Sequence, residues 1–339
     1  MKIATSPNDE VAIVVAADNG YAMPLAVAVR SVIDTLGENK HLKAYIIDGG
    51  ISDENRKRCL ASWESFNTSI VWLKPEKDLL NQFVSSDHFT VATYYRLFVS
   101  ELLPSSLPRV IYLDPDMLCM ESVSQIYNID LHGNPIAAAQ DVYCPFIDNR
   151  IAMGNYSDAM PYVYGLVAIP DADERKTPPT QPYFNAGLLV MDLDQFRKNK
   201  IADTLRDYCI RFQGNLLWAD QCAANACLGY RWTQLDNKWN VTTPVFEVPS
   251  HSVTFYDQQT FERIKTKPAC IHFAGPKKPW HFGSDHPFVN SYFDMVDKTD
   301  WRGWRPVHEA REVQSSKSGF FERLLKILPF EKAFNRKAA

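Results

Sequence analysis

The chain of 339 residues is 46% hydrophobic and 22% charged, ordinary for a folded soluble protein and enough to bury one large core or two modest ones. Its 36 Lys and Arg against 40 Asp and Glu leave a net charge of −4, so no global basic field gathers nucleic acid. No apolar stretch approaches the roughly 18 residues of a spanning helix, and the opening "MKIATSPNDEVAIVVAAD", which carries Asp9 and Glu10, does not read as a secretory signal.

In chain order, "VAIVVAAD" predicts a buried strand that ends at Asp18. "YAMPLAVAVRSVIDTL" predicts a helix, with Pro24 tolerable only near its first turn. "KAYIIDGG" is a second strand stopped by two glycines, and "ISDENRKRCLASWESF" has helix-start chemistry at Ser52 or Asp53. "SIVWL" is a third strand, and "TYYRLFVSELLP" is a helix ended by Pro104. "RVIYLD" and "PIAAAQD" follow as further strands. Continuous apolar strands separated by helices imply an α/β fold with a mostly parallel sheet covered on both faces. Such sheets take ligands at the carboxyl ends of their strands, where strand order reverses. Asp18, Asp114 and Asp141 each close a predicted strand, so three carboxylates should face one rim.

The second half is less regular. Residues 142–183 read as a long loop rich in proline, carrying Tyr143, Tyr156, Tyr162, Tyr164 and Tyr183. "FNAGLLVMDL" returns to strand, "DQFRKNKIADTLRDYCIRF" reads as one helix capped by Asp194, and "DQCAANACL" as another short helix. "ACIHFAGPKKPW" is a last apolar strand running into a loop. Seven scattered cysteines without a C-x-x-C favour a reducing, cytoplasmic setting over a disulfide framework or zinc knuckle.

D-x-D occurs three times. The pair Asp171 and Asp173 lies in a polar loop with no strand feeding it and reads as a solvated turn. The pair Asp192 and Asp194 follows an apolar run but leads into a helix, and capping explains Asp194 there without any metal. Asp114 and Asp116, in "VIYLDPDML", end a strand and precede more apolar residues. In extended backbone, residues i and i+2 point to one side. Two carboxylates held that close repel, and one is pushed toward protonation unless a cation sits between them; a hard divalent metal accepts oxygens from both. A polar strand end without a metal is the alternative reading.

Further along come "YFNAGLLVMDL", "DQCAAN", "KWN" and "IHFAGPKKPW", and near the start "VVAADNGYAMPLAVAVRSV". In this order the set resembles the family-8 glycosyltransferases, retaining enzymes that include bacterial lipopolysaccharide galactosyl- and glucosyltransferases and glycogenin. The resemblance covers roughly residues 11–282. It implies a GT-A-type, Rossmann-like catalytic domain over 1–282, with 283–339 as a C-terminal extension. It assigns Asp114, Asp116 and His272 to a manganese (or magnesium) ion bridging the diphosphate of a UDP-sugar; by itself, His272 could equally be a satisfied histidine at a strand end. Lys278 matches the residue that grips the diphosphate, Gly275 lets backbone approach it, and Lys277 could share that work; an exposed basic loop is the bland alternative. Ala17, Asp18 and Tyr21 match the nucleotide-cradling loop, although Asp18 alone could be a helix N-cap, and Gly20 stands where the family often has Asn. Arg96 matches an arginine that reaches the sugar and phosphate region, with a local ion pair as its alternative. Asp141, Asn185, Asp220 and Gln221 match sugar-side residues, and Cys222 stands where the family often has Asp. Because glutamine is a poor nucleophile, the resemblance favours front-face displacement, with Gln221 steadying charge on the ring and Asp220 the alternative nucleophile.

The expected function is transfer of a hexose from a UDP-sugar to a glycan or glycolipid acceptor, in lipopolysaccharide or other cell-surface glycan synthesis. Glycogenin-like self-glucosylation and non-catalytic nucleotide-sugar binding are the competing readings. The 142–183 loop either covers the donor and shapes the acceptor site or packs as a structural excursion. Residues 311–339 carry seven Lys and Arg against three Glu, and Phe320, Phe321, Leu324, Ile327 and Leu328 recur at helical spacing. That basic amphipathic helix suits an anionic inner membrane leaflet or a docking face on the catalytic domain.

Overall fold

A computed structural model of the chain describes residues 10–65, 67–76, 78–83, 91–167 and 169–307. The 311–339 tail, with its expected amphipathic helix, lies outside the described residues. By internal contacts the chain divides into units 1–305 and 306–339.

Among the described residues, ten strands build two sheets. β1 (Glu10–Ala17), β2 (His41–Asp48), β3 (Thr68–Leu73), β4 (Arg109–Leu113), β6 (Ile136–Gln140), β7 (Phe184–Asp192) and β8 (Thr233–Gln234) form the large one, in the order β3-β2-β1-β4-β7-β6-β8. β5 (Met117–Cys119), β9 (Val241–Thr242) and β10 (Cys270–His272) form the small one, in the order β5-β10-β9. The large sheet is mostly parallel and flanked by helices, as the apolar strand runs require. β7 alone is antiparallel to both its neighbours. β1 lies between β2 and β4, so strand order reverses there, and the crevice beyond the ends of β1 and β4 is the expected ligand position.

The helix Ala22–Leu36 is apolar nearly all round because it is buried nearly all round, and Pro24 sits at its third residue, where no intrahelical N–H bond is lost. Ser31 donates to Ala28 O at 2.7 Å and accepts from Cys119 N at 2.9 Å, which ties this helix to the small sheet. Ser52 caps the helix Asp53–Ser62 through Asn55 N.

Three local expectations are corrected. Residues 91–98 form a 3-10 segment followed by a single α-turn, Val99–Leu102, instead of one α-helix; aromatic and β-branched side chains lose rotamer freedom in an α-helix and weaken it there. The 193–212 segment is two helices, Leu193–Lys198 and Ile201–Phe212, broken at Lys200, whose φ is +51°. Its cap is Asp192, which accepts from Gln195 N at 2.9 Å, and Asp194 lies inside the first turn. The 142–183 region holds one-turn helices at Asn149–Ala152, Tyr156–Ala159 and Ala172–Arg175. Part of it joins a second apolar cluster, in which Val142 and Met153 pack with Val241, Val245, Phe261 and Ile264.

Beyond β10 the chain returns to the main core through Tyr292, Val296 and Trp301. His286 is buried there against Phe246, Phe273 and Phe288. Its Nδ1 accepts from Phe288 N, and its Nε2 finds no partner among the described residues. Burial pushes its pKa down from 6.5 to about 4, against a smaller upward pull from Asp285. The folded state thus binds fewer protons than the unfolded one between those values, so this contribution is complete above pH 6.5 and is lost as pH falls toward 4. Replacing His286 with Phe should therefore shift the melting temperature relative to wild type more favourably at pH 5 than at pH 8; the same difference at both would contradict a buried neutral imidazole.

Candidate active site

β4 delivers Asp114 to the rim, and the ladder with β7 continues one step further, Asp114 N donating to Gly187 O at 2.8 Å. The chain then turns through Pro115 and Asp116 into β5, so the two carboxylates are brought together by a turn and not by the extended i, i+2 geometry expected. β5 pairs with β10, His272 opposite Met117, and Phe273 N donates to Asp116 O at 3.0 Å. The result is one ligand atom from each of Asp114, Asp116 and His272 within 4.8 Å of one another. His272 Nε2 lies 3.3 Å from Asp116 Oδ1 and 3.8 Å from Asp114 Oδ2. These separations suit oxygen and nitrogen atoms sharing a cation at roughly 2.1–2.6 Å, and two carboxylates with an imidazole suit a borderline divalent metal.

Cationic side chains of the protein brace this cluster. Lys278 Nζ lies 2.6 Å from Asp116 Oδ2 and donates to Phe273 O at 2.7 Å. Burial alone would raise the Asp116 pKa, but the adjacent Lys278 ammonium opposes it, and the carboxyl is held well below its usual range. Arg96 lies 3.1 Å from Asp114 Oδ1 and 2.7 Å from Asp220 Oδ2, and it donates to Ala186 O at 2.6 Å. Burial disfavours the Arg96 charge, yet Asp114 and Asp220 together raise its pKa. Asp220 is itself pushed up to about 6 by burial, with Arg96 opposing. The Tyr112 hydroxyl donates to Asp114 Oδ1 at 2.8 Å, and the Arg96 guanidinium lies over its ring.

Asp18 follows β1 and accepts from Gly20 N and Tyr21 N, so its N-cap reading holds in the structure. Asn19 accepts from Ser52 N and Asn55 Nδ2, which fastens this loop to the neighbouring helix start. Ala17 is buried at the end of β1, and its carbonyl accepts from Gly49 N at 2.9 Å. Tyr21 meets the edge of Trp280 at 5.7 Å between ring centroids, so the loop after β1 and the "GPKKPW" loop adjoin. Gly275 is exposed at φ +92°, a conformation that disfavours any side chain. Lys277 is exposed.

On the third side, Asp141 Oδ2 accepts from Asn185 Nδ2 at 2.8 Å and from Gln221 Nε2 at 3.2 Å, while Gln221 Oε1 accepts from Ala186 N. Cys222 is fully buried, within 3.2 Å of both the Tyr183 hydroxyl and Trp218 N. Tyr183 is itself fully buried and so offers no aromatic face to a ligand; Tyr143 and Tyr164 instead form an edge-on pair that continues to Trp218. The structure thus gathers the sequence-marked residues at the ends of β1, β4 and β6 and the start of β7.

Sequence reasoning missed Tyr112, Asn19, Gly187 and Asn240. Asn240 closes the quoted "KWN", and Gly187 sits in "FNAGLL", so both had a signal with no role attached. A Cβ at Gly187 would lie 2.3 Å from His272 Cε1 and 2.6 Å from its Nδ1. Gly187→Ala should therefore displace His272, cost about 1–3 kcal/mol of stability in denaturant titration, and weaken binding of divalent cations; a variant with unchanged stability and affinity would contradict this packing.

The sequence profile of glycosyl transferase family 8 matches residues 12–283. General stress protein A of Bacillus subtilis (strain 168) is 28% identical over 292 residues, covering 85% of this chain and 94% of that protein. The lipopolysaccharide 1,2-glucosyltransferase of Escherichia coli (strain K12) is 24% identical, covering 85% of this chain and 78% of its own. Among solved structures, the galactosyltransferase LgtC, crystallised with donor and acceptor sugar analogs, matches with a TM-score of 0.69 at 22% identity, over 85% of this chain and 96% of its own. That likeness is one of fold, and it agrees with the GT-A-type architecture. The profile match spans well over half of the sequence, and the chain belongs to glycosyl transferase family 8.

Proposed function

We propose that the protein is a metal-dependent, retaining hexosyltransferase that takes its sugar from a UDP-sugar and delivers it to a glycan or glycolipid acceptor hydroxyl. The observation that carries this reading is the convergence of Asp114, Asp116 and His272 at the strand-order reversal, with Lys278 Nζ 2.6 Å from Asp116. A manganese or magnesium ion held by those three residues would supply Lewis-acid neutralisation of the donor diphosphate. Lys278 would then release Asp116 and hold a diphosphate oxygen, with the backbone at Gly275 close beside it. Asp18 and Tyr21 would take the nucleoside, Asp18 through its remaining acceptor capacity and Tyr21 through its ring face.

Asp141, Asn185 and Gln221 present paired acceptors and donors, the pattern that reads sugar hydroxyls. Gln221 keeps a second lone pair on Oε1 beyond the one used by Ala186 N. That lone pair would steady positive charge on the sugar ring while the new bond to the acceptor oxygen forms on the face that the diphosphate leaves. The acceptor proton passes to the departing diphosphate oxygen. Arg96 positions Asp114 and Asp220, and the region 142–183 is the acceptor side. The relatives named for lipopolysaccharide transfer support an acceptor of that class. The basic tail 311–339 would hold the enzyme to an anionic inner leaflet, and its removal should release the protein from vesicles containing anionic lipid.

A panel of UDP- and GDP-sugars, scored for donor hydrolysis with Mn2+ or with chelator, tests the donor reading. One UDP-hexose should be hydrolysed only with metal, and no turnover of any UDP-sugar would contradict the proposal. Asp116→Asn should lower kcat/KM by at least the ~100-fold that marks the upper end for outer-sphere partners of a metal. Lys278→Ala should weaken UDP binding while Mn2+ still binds; loss of Mn2+ binding as well would place Lys278 in a different role.

A further inference from the structure

A buried chain of amides runs from Asp141 to the ring of His272, and its two ends leave one way to arrange the protons along it. Asp141 is acceptor-only when ionised. Its Oδ1 takes Tyr143 N at 2.8 Å and Cys144 N at 3.0 Å, and its Oδ2 faces Asn185 at 2.8 Å. The Asn185 amide must therefore turn its nitrogen to the carboxylate. Its oxygen then meets Gly187 N at 2.9 Å, a backbone donor that independently demands an acceptor, and Asn240 at 2.8 Å. Asn240 must give its nitrogen to that oxygen, so its own Oδ1 faces His272 Nδ1 at 3.0 Å. An amide oxygen accepts only, hence Nδ1 is the protonated ring nitrogen. Asp141, Asn185, Asn240 and His272 are all at most 8% exposed, so solvent does not substitute for any partner.

We propose that Asn240 is a positioning residue that locks His272 in the Nδ1–H tautomer, so that Nε2 presents its lone pair toward Asp114 and Asp116. The Nε2 atom lies 3.3 Å from Asp116 Oδ1, on the side where the cation would be shared. The inference rests on the reading above for the identity of that cation, whereas the tautomer is a property of the chain alone. Ligating histidines are commonly fixed through the other ring nitrogen in this way. Here the lock reaches two residues further, to the carboxylate on the sugar side. Asn185 is thus shared between the layer that would hold the sugar and the layer that would hold the metal.

The test uses the full chain without metal, labelled with 15N-histidine. Long-range 1H–15N spectra at pH 8 report the tautomer, and His272 is assigned by the signal lost in His272→Gln. Wild type should show Nδ1–H; Asn240→Leu should shift His272 toward Nε2–H. Calorimetry with Mn2+ should give Asn240→Leu an affinity about 10- to 100-fold weaker than wild type. An Nε2–H tautomer in wild type overturns the proposal, and that measurement does not depend on any variant folding. Unchanged tautomer and Mn2+ affinity in Asn240→Leu overturn it too. Wild type showing Nδ1–H without binding Mn2+ upholds the lock and removes the metal-dependent reading of the function.

Discussion

Two like charges held side by side, at Asp114 and Asp116, set the terms for the rest of this site. Unit charges about 4 Å apart repel by roughly 4 kcal/mol at an effective dielectric near 20, and the fold offsets this with cations of its own. Lys278 at 2.6 Å from Asp116 and Arg96 at 3.1 Å from Asp114 leave each carboxylate a partner in the metal-free chain. Both cations reach in from separate segments, one after β10 and one from the 3-10 stretch ahead of β4. The site is therefore assembled by packing between distant parts of the chain, and Gly187 is where they meet. It takes the Asp114 amide on its carbonyl, gives its own amide to Asn185, and leaves open the space that the His272 ring fills.

Most of the large sheet was readable from the sequence because β1, β2, β4 and β6 are short apolar runs ended by glycine or aspartate, and the carboxylates after β1, β4 and β6 follow from parallel strands pointing one way; the two-residue β8, Thr233–Gln234, carries no apolar signal. The antiparallel insertion of β7 was not readable, since "FNAGLLVMD" is apolar on both faces whichever way it runs. The turn between Asp114 and Asp116 was also hidden: β4 and β5 belong to different sheets, and only the long-range pairing with β10 shows where the second sheet begins. Local capping gave mixed results. Ser52 followed the expected chemistry, whereas Asp192 and Asp194 are equivalent in sequence and only the helix start separates them.

The same limit applies to the site residues. The strand-end carboxylates could be marked from the strand pattern, whereas His272, Lys278 and Arg96 could be marked only because the segments that carry them resemble the family. Asn240 and Gly187 act through what they accept or omit, and neither role exists until β9 and β10 are paired. Among the described residues two apolar clusters pack around the site, a large one that includes the strands of the main sheet and a smaller one joining part of 142–163 to 241–264. Residues between them, including Asp141 and Asn240, are polar and buried, as expected where two packed regions must leave room for a ligand.

No helix among the described residues is long and apolar enough to cross a membrane. The central claim, that opposed carboxylates and an imidazole form a cation site which readies the protein for a nucleotide diphosphate, is tested most directly by calorimetry of UDP binding to wild-type protein. Strong binding with Mn2+ that disappears with chelator is the expected result. Equal affinity under both conditions would contradict the account.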